Sequence, residues 1–214
     1  MGAGKESGRR DARRNRQLII EAARDLLRVH GLDAVLDEVA RQAGVANATL
    51  YRHFPTRGDL YEAVFKDAAT AFRQVGEECL LIEDGWTALV TYIEKICQST
   101  AADPALHDLL ERRYPETSVI TDMRHHVDHV LETLLARAQA QGTVRTDVVF
   151  TDLILLAFGV QRVVSACTAV GSKAWERHAE ITFDGLRVSA ATGSLTSAPL
   201  PYERLAGTFR RGSV

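Results

Sequence analysis

Cysteine, proline and long apolar runs are all scarce in this 214-residue chain. Cys79, Cys97 and Cys167 are odd in number, widely spaced and form no Cys-x-x-Cys pair, so neither a disulfide framework nor a zinc site is expected. Buried, inert thiols are the expectation. With 5 prolines in the chain, long stretches are free of the residue that interrupts helices. The longest uninterrupted apolar run, residues 153–160, falls far short of the roughly 20 residues that span a bilayer, and no membrane partner is expected. No hydrophobic region follows the basic start, which predicts a cytoplasmic protein without a signal peptide. There is no Gly-x-Ser-x-Gly elbow, Gly-rich phosphate loop or constraining Cys–His spacing, so neither an enzyme nor a cofactor is expected.

What is present begins with charge. The net value of −2 conceals an asymmetry: residues 1–66 carry 12 Lys/Arg against 9 Asp/Glu, whereas residues 67–214 carry 14 against 19. The first part is suited to a polyanion and the second is not. Six of the basic residues (Lys5, Arg9, Arg10, Arg13, Arg14, Arg16) lie within residues 1–16, among Gly2, Gly4, Ser7 and Gly8. That segment reads as a flexible basic arm entering a helix near Arg10 to Arg14. Phosphate attraction, a reach into a minor groove, or a solvated tail all fit it.

Helical spacing dominates the remainder, and no strand-period alternation or internal repeat is visible. Apolar pairs at Leu18/Ile19, Ala22/Ala23 and Leu26/Leu27 predict a helix over 17–30, stopped at Gly31. A short helix follows over 36–43, with Val39, Ala40 and Ala43 inward and Gly44 as its left-handed terminus. After a three-residue connection a second short helix is predicted over 47–54, with Asn47 as its N-cap and Pro55 beyond its end. This is helix-turn-helix spacing. At 100° per residue Leu50 and Phe54 share one face, while Ala48 and Arg52 point away, flanked by Thr49 and Tyr51. Arg and Thr suit base edges, an Ala methyl suits a thymine methyl, and Tyr, His and Arg suit phosphate oxygens. An ordinary amphipathic helix fits these seven residues alone; the flanking sequence separates the two readings.

Thr56-Arg57-Gly58-Asp59 fits a capping box that opens a helix to about residue 80. Further helices are predicted over 86–100, from Asp103-Pro104 to Tyr114-Pro115, over 118–141, from Thr146-Asp147 to about 169, and over 173–190. The fold class is therefore all-α with about nine helices, divided as a basic arm (1–16), a helix-turn-helix domain (17–66), a helical domain (67–190) and a tail (191–214) without an assigned role.

The residues Ile20-Ala22-Ala23-Leu26-Leu27, Gly31, Val39-Ala40, Ala43-Gly44-Val45, Thr49-Leu50-Tyr51-Arg52-His53-Phe54-Pro55, Arg57 and Leu60 resemble the DNA-binding region of the tetracycline-repressor (TetR) family of bacterial transcriptional regulators. The resemblance covers about 50 residues; beyond it only length and helical character match. It implies a homodimer, paired through its last two helices, that binds double-stranded operator DNA and is released by a small-molecule inducer. Asn47, Ala48, Thr49 and Arg52 would face bases, and Tyr51, His53 and Arg57 would hold phosphates. Tyr92, Met123, His126, Phe158 and Arg162 lie on helices that line the family's ligand pocket. Two departures stand out: Val35-Leu36 and Asp37 replace polar or basic residues common around the second helix, and Ala46 stands where Ser is common.

His125-His126-x-x-His129 places two imidazoles one turn apart, but the Glu of a His-Glu-x-x-His hydrolase is missing, so no metal site is expected. Arg162 fits equally an anionic ligand, an acid across a dimer, or solvent. Two rival functions remain open on the residues alone. One is an all-α small-molecule-binding protein or enzyme that keeps the N-terminal module structurally, and the other is a sequence-tolerant DNA binder.

Overall fold

The first helix, α1 (Ala3–His30), is longer than its sequence pattern predicts, because the residues read as an arm are helical from Ala3 onward. Nothing in residues 3–16 stops a helix once the packed 18–27 stripe has nucleated it: there is no proline, and Arg and Lys are good helix formers. The computed structural model describes residues 3–31, 35–103, 106 and 118–205. The short helix expected between Asp103-Pro104 and Tyr114-Pro115 lies outside the described residues apart from Asp103 and Leu106.

After α1 come α2 (Leu36–Gln42), α3 (Asn47–His53), α4 (Arg57–Leu80), α5 (Gly85–Ala102), α6 (Ser118–Ala140), α7 (Phe150–Ala169), α8 (Ala174–Asp184) and a short 3-10 helix, Val188–Ala190. Among the described residues the fold is all-α, with one isolated antiparallel bridge, Val144 to Arg187. The apolar faces close into two clusters that share α4. Ile19, Ala23, Leu27, Val39, Leu50, Phe54, Leu60 and Tyr61 form the first, and Leu89, Tyr92, Ile93, Leu134, Leu153 and Phe183 belong to the second. Leu60 to Phe72 of α4 belong to the first cluster and Cys79 to the second, so one unbroken helix runs from one core into the other.

The capping box at the start of α4 is formed as its sequence predicts. The Asp59 amide donates to Thr56 Oγ1 at 3.1 Å, and the Thr56 amide donates to Asp59 Oδ2 at 2.9 Å. Thr56→Ala removes both the cap and its hydroxyl bond to Asp59, and is expected to cost about 1 kcal/mol of stability. Urea denaturation of the variant measures that cost, and an unchanged midpoint would show that the cap contributes nothing.

Two predicted boundaries move, each for a local reason. Helix α7 starts at Phe150 rather than at Thr146-Asp147, because the Asp147 carboxylate is held by Arg145 (2.5 and 2.8 Å) and by the Leu195 amide (2.8 Å). Asp152 instead accepts the Val149 amide at 3.0 Å. Helix α8 ends at Asp184 rather than near residue 190, since the following backbone pairs with the α6–α7 loop: Arg145 N–H to Leu186 O at 3.0 Å and Val188 N–H to Thr143 O at 3.2 Å. Arg187 then stacks on Trp86 at 3.8 Å, and Val188 is exposed. Cys79 and Cys97 are buried, and burial pushes both thiols up, that of Cys97 to about 12. Cys167 departs from the expectation and is half-buried.

Candidate nucleic-acid interface

The turn between α2 and α3 is built from backbone hydrogen bonds and one residue with positive φ. Gly44 (φ +67°) follows the C-cap Ala43, its amide donates to Arg41 O at 3.2 Å, and the Val45 amide donates to Ala40 O at 3.0 Å. These are the paired bonds of a Schellman motif, which reverses the chain at a position where a side chain would strain the backbone. Helix α3 then buries Leu50 and ends against Phe54, both about 1–2% exposed, while Asn47, Ala48, Tyr51 and Arg52 are exposed. Thr49 and His53 are half-buried at the edges of that open face.

Asn47 does not serve as the N-cap. That position belongs to Ala46, which makes no side-chain cap bond. Asn47 lies one residue inside the helix, and its Nδ2 donates to Asp37 Oδ1 of α2 at 2.9 Å. The acid that departs from the family pattern thus braces α3 against α2. On the same helix Glu38 pairs with Arg41, so the exposed charges of α2 are engaged within the module.

Around the C-terminal end of α3 the positive groups gather. The Arg16 guanidinium of α1 lies 5.1 Å from the Phe54 ring centre, and that of Arg57 lies 6.0 Å from the Tyr61 ring centre. Arg16, counted with the arm in the sequence, joins this cluster because α1 is continuous. The signal that would have placed it there is the absence of Gly and Pro between Arg9 and Gln17, in a stretch rich in Arg. His53 Nε2 is buried without a hydrogen-bond partner among the described residues. Burial holds the His53 imidazole below its ordinary value, and Arg52 and Arg16 push it further down.

Helix α4 connects this face to the C-terminal body. Arg24 of α1 reaches Asp67 at 3.2 Å and the Val64 carbonyl at 3.5 Å, fastening α1 along α4. Further along, a Cβ on residue 76 would lie 2.5 Å from His126 Nε2, so Gly76 forms a notch that seats the imidazole of α6. His126 Nε2 is buried there without a well-formed bond, and burial first, then Arg73, lowers its pKa from 6.5.

Both histidines are disfavoured as cations in the folded chain, so the native state binds fewer protons than the unfolded one. Their contribution is whole above pH 6.5 and is lost as pH falls below it. Urea midpoints are therefore expected to drop between pH 7.5 and pH 5.5, and to drop less in His126→Gln. An equal drop in that variant would remove His126 from the account.

The five residues expected at a pocket differ in their surroundings. Tyr92 is buried in the second core cluster and Met123 in the first, His126 sits against α4, and Phe158 is half-buried on α7. Arg162 is exposed, because Leu153, Val160 and Val164 turn the opposite side of α7 into the core. A cleft of about 230 Å³ opens between α4 and α5, lined by Ala68, Ala71, Phe72, Val75, Ile96 and Ser99, with Lys95 and Asp103 polar and Leu106 beside them. None of the five lines it. The small side chains of Ala68 and Ala71 on α4 are the sequence signal for that space.

A helix-turn-helix with an open polar face, carried by a long helix into an all-helical body, defines a helix-turn-helix protein of the transcription-regulator class. Family models match residues 19–64, as bacterial regulatory proteins of the tetR family, and residues 84–188, as the C-terminal domain of SbtR-like transcriptional regulators. A solved TetR transcription regulatory protein from Mycobacterium vanbaalenii is 34% identical, over 84% of this chain and 99% of that one, with a TM-score of 0.51. The chain belongs to the TetR family of bacterial transcriptional regulators. In fold alone it is also similar to the regulator FadR of Bacillus subtilis, solved in complex with stearoyl-CoA. That likeness is 20% identity over 80% of this chain and 97% of that one, at a TM-score of 0.59.

Among curated relatives, the HTH-type regulator TtgW of Pseudomonas putida is 35% identical over 81 residues, 37% of this chain and 60% of that protein. An HTH-type regulator of Staphylococcus aureus is 35% identical over 75 residues, 33% of this chain and 40% of that protein. The matched part thus spans 60% and 40% of these two relatives. Helix α7 is long and apolar enough by length and composition to cross a membrane. Here it packs one face against α5 within the second core.

Proposed function

We propose that this protein is a cytoplasmic, homodimeric, ligand-responsive regulator that represses transcription by binding a near-palindromic operator and is released by a small molecule. The observation that carries the reading is the division of α3, with Leu50 and the adjoining Phe54 in the core and Ala48, Tyr51 and Arg52 open on the other side. Ala48, Thr49 and Arg52 face bases, Asn47 stands at their edge, and Tyr51, His53 and Arg57 hold phosphates. Arg16 adds charge beside them. The helix-turn-helix unit covers residues 17–66 and the ligand-binding and dimerisation unit residues 67–190, joined through α4.

Dimerisation uses the outer faces of α7 and α8. Leu155 is 43% exposed and Ile181 63% exposed, and Gly159, Arg162 and Ala166 share the open side of α7. Two such pairs form a four-helix contact that sets the recognition helices one DNA turn apart, about 34 Å. A ligand in the body favours one setting of α4 and shifts the other equilibrium by the same coupling energy, typically about 1–3 kcal/mol.

Fluorescence anisotropy with a labelled duplex from immediately upstream of this protein's gene, against a shuffled duplex, tests the reading at several salt concentrations. Preference for the native duplex that persists as salt rises supports base reading. Equal binding to both that salt abolishes would instead favour a sequence-tolerant binder. A ligand with the same affinity for free and operator-bound protein would refute the coupling.

A further inference from the structure

Beyond residue 188, where the match to the family's C-terminal model ends, the chain folds back over its own body. It is pinned twice. Arg145 donates to Gly193 O at 2.7 Å, and the Leu195 amide donates to Asp147 Oδ2 at 2.8 Å, which fastens residues 193–195 to the α6–α7 loop. Residues 196–199 are exposed. The chain then returns: Tyr202 Oη donates to Asp128 Oδ2 at 2.9 Å, the Tyr202 ring lies 5.5 Å from that of Phe150, and Leu205 is buried.

What lies under this second contact is polar and incompletely bonded. Asp128 of α6 is half-buried beneath the exposed Tyr202, and the burial it has raises its carboxyl despite the Tyr202 bond. On its own helix Arg124 and His125 act to lower it and Glu132 to raise it, and on α5 the Tyr92 hydroxyl is held up by burial first, then by Cys79 and by the Asp128 charge. That hydroxyl is fully buried and has no hydrogen-bond partner among the described residues. A half-buried carboxylate bonded to a neutral phenol, within electrostatic range of an unsatisfied hydroxyl, leaves hydrogen-bonding capacity that a charged donor would fill better.

We infer that residues 196–205 are a latched lid over a binding subsite made by Asp128, Tyr92 and Phe150, and that its occupant is a small arylalkyl amine. Tyr202 is the template for that ligand: an aromatic ring against Phe150 ending in a donor to Asp128. An ammonium replaces the phenol on the carboxylate with a full charge and more than one N–H, and the Tyr92 oxygen accepts another of them. The first pin, built on the Arg145–Asp147 pair, stays in place, so the lid opens about the exposed residues 196–199. The inference names the ligand class for the ligand-responsive regulator proposed above and rests on that reading for its biological consequence, although binding itself is measured without DNA.

The test uses the full-length protein and 2-phenylethylamine as probe, with 2-phenylethanol and 3-phenylpropionate as neutral and anionic controls. Calorimetry measures affinity, and hydrogen exchange reports on residues 196–205. The amine is expected to bind saturably and speed exchange in that segment, and the controls are not. Tyr202→Phe, which removes the competing hydroxyl and keeps the ring, should bind severalfold tighter, and the isosteric Asp128→Asn should lose binding. Failure of the amine to bind Tyr202→Phe at millimolar concentration, undiminished binding to Asp128→Asn, or binding without a change in exchange would each overturn the assignment. Amine binding that leaves operator affinity unchanged would refute the induction reading instead and leave the subsite standing.

Discussion

Replacing Arg52 by Ala is expected to weaken binding to the operator duplex by about 1–3 kcal/mol per half-site, a loss of roughly 5- to 150-fold, and to relax preference at the base pair it reads. The size follows from geometry. Arg52 is exposed on the side of α3 opposite Leu50, and a guanidinium there offers paired donors to a guanine edge that no other residue type on this face can replace. The substitution leaves the packed side untouched, so the urea midpoint of the variant should match that of the parent. Anisotropy with native and shuffled duplexes separates the two quantities. Affinity that falls equally for both duplexes would reassign Arg52 to phosphate contact, and unchanged affinity would remove α3 as the reading element.

Phe54→Ala is expected to produce the largest loss of stability, about 3–5 kcal/mol. Its ring is 2% exposed, sits at the C-cap of α3 and lies under the Arg16 guanidinium, so truncation leaves a cavity where α1, α3 and α4 meet and removes a cation–π contact as well. Operator affinity should fall with it even below the unfolding transition, because α3 loses one of the two large side chains that fix its angle. Urea denaturation followed by circular dichroism measures the first effect and anisotropy the second. A midpoint within experimental error of the parent would mean that Phe54 is not the packed residue its burial makes it.

These two variants differ in how far their roles could be read from the sequence. The contrast between Leu50 and Arg52 follows from helical angle alone, and the Gly44 turn, the Pro55 stop and the Thr56 capping box are local patterns whose partners lie within five residues. Local chemistry of that kind is legible without coordinates. The error at Asn47 shows the limit: a good capping residue was available one position inside the helix, but its amide found a partner ten residues away on α2. Capping preference is about 1 kcal/mol, small enough for such a contact to override.

The C-terminal body was less legible for the same reason on a larger scale. Asp147 looked like a helix opener until the arginine two residues before it and the Leu195 amide 48 residues after it claimed its carboxylate. Arg162 looked available to an interior ligand because an apolar run precedes it, yet the choice of which stripe of α7 is buried depends on α5, and that choice turned Arg162 outward.

By itself the sequence determined the all-helical class, the position of the helix-turn-helix, the two faces of its second helix and the family to which the chain belongs. The family follows from a resemblance in its motif residues; the others rest on periodicity and on residues close together along the chain, where 3.6-residue geometry leaves few alternatives. Only the tertiary structure decided that Arg16 stacks on Phe54, that Gly76 seats His126, that the open cleft lies beside Ala68 and Ala71, and that Tyr202 returns to Asp128. Those pairings join residues 38 to 74 positions apart, or helices whose rotation is set by their neighbours. Their energies come from packing and burial, which periodicity locates on a face but cannot match to a partner.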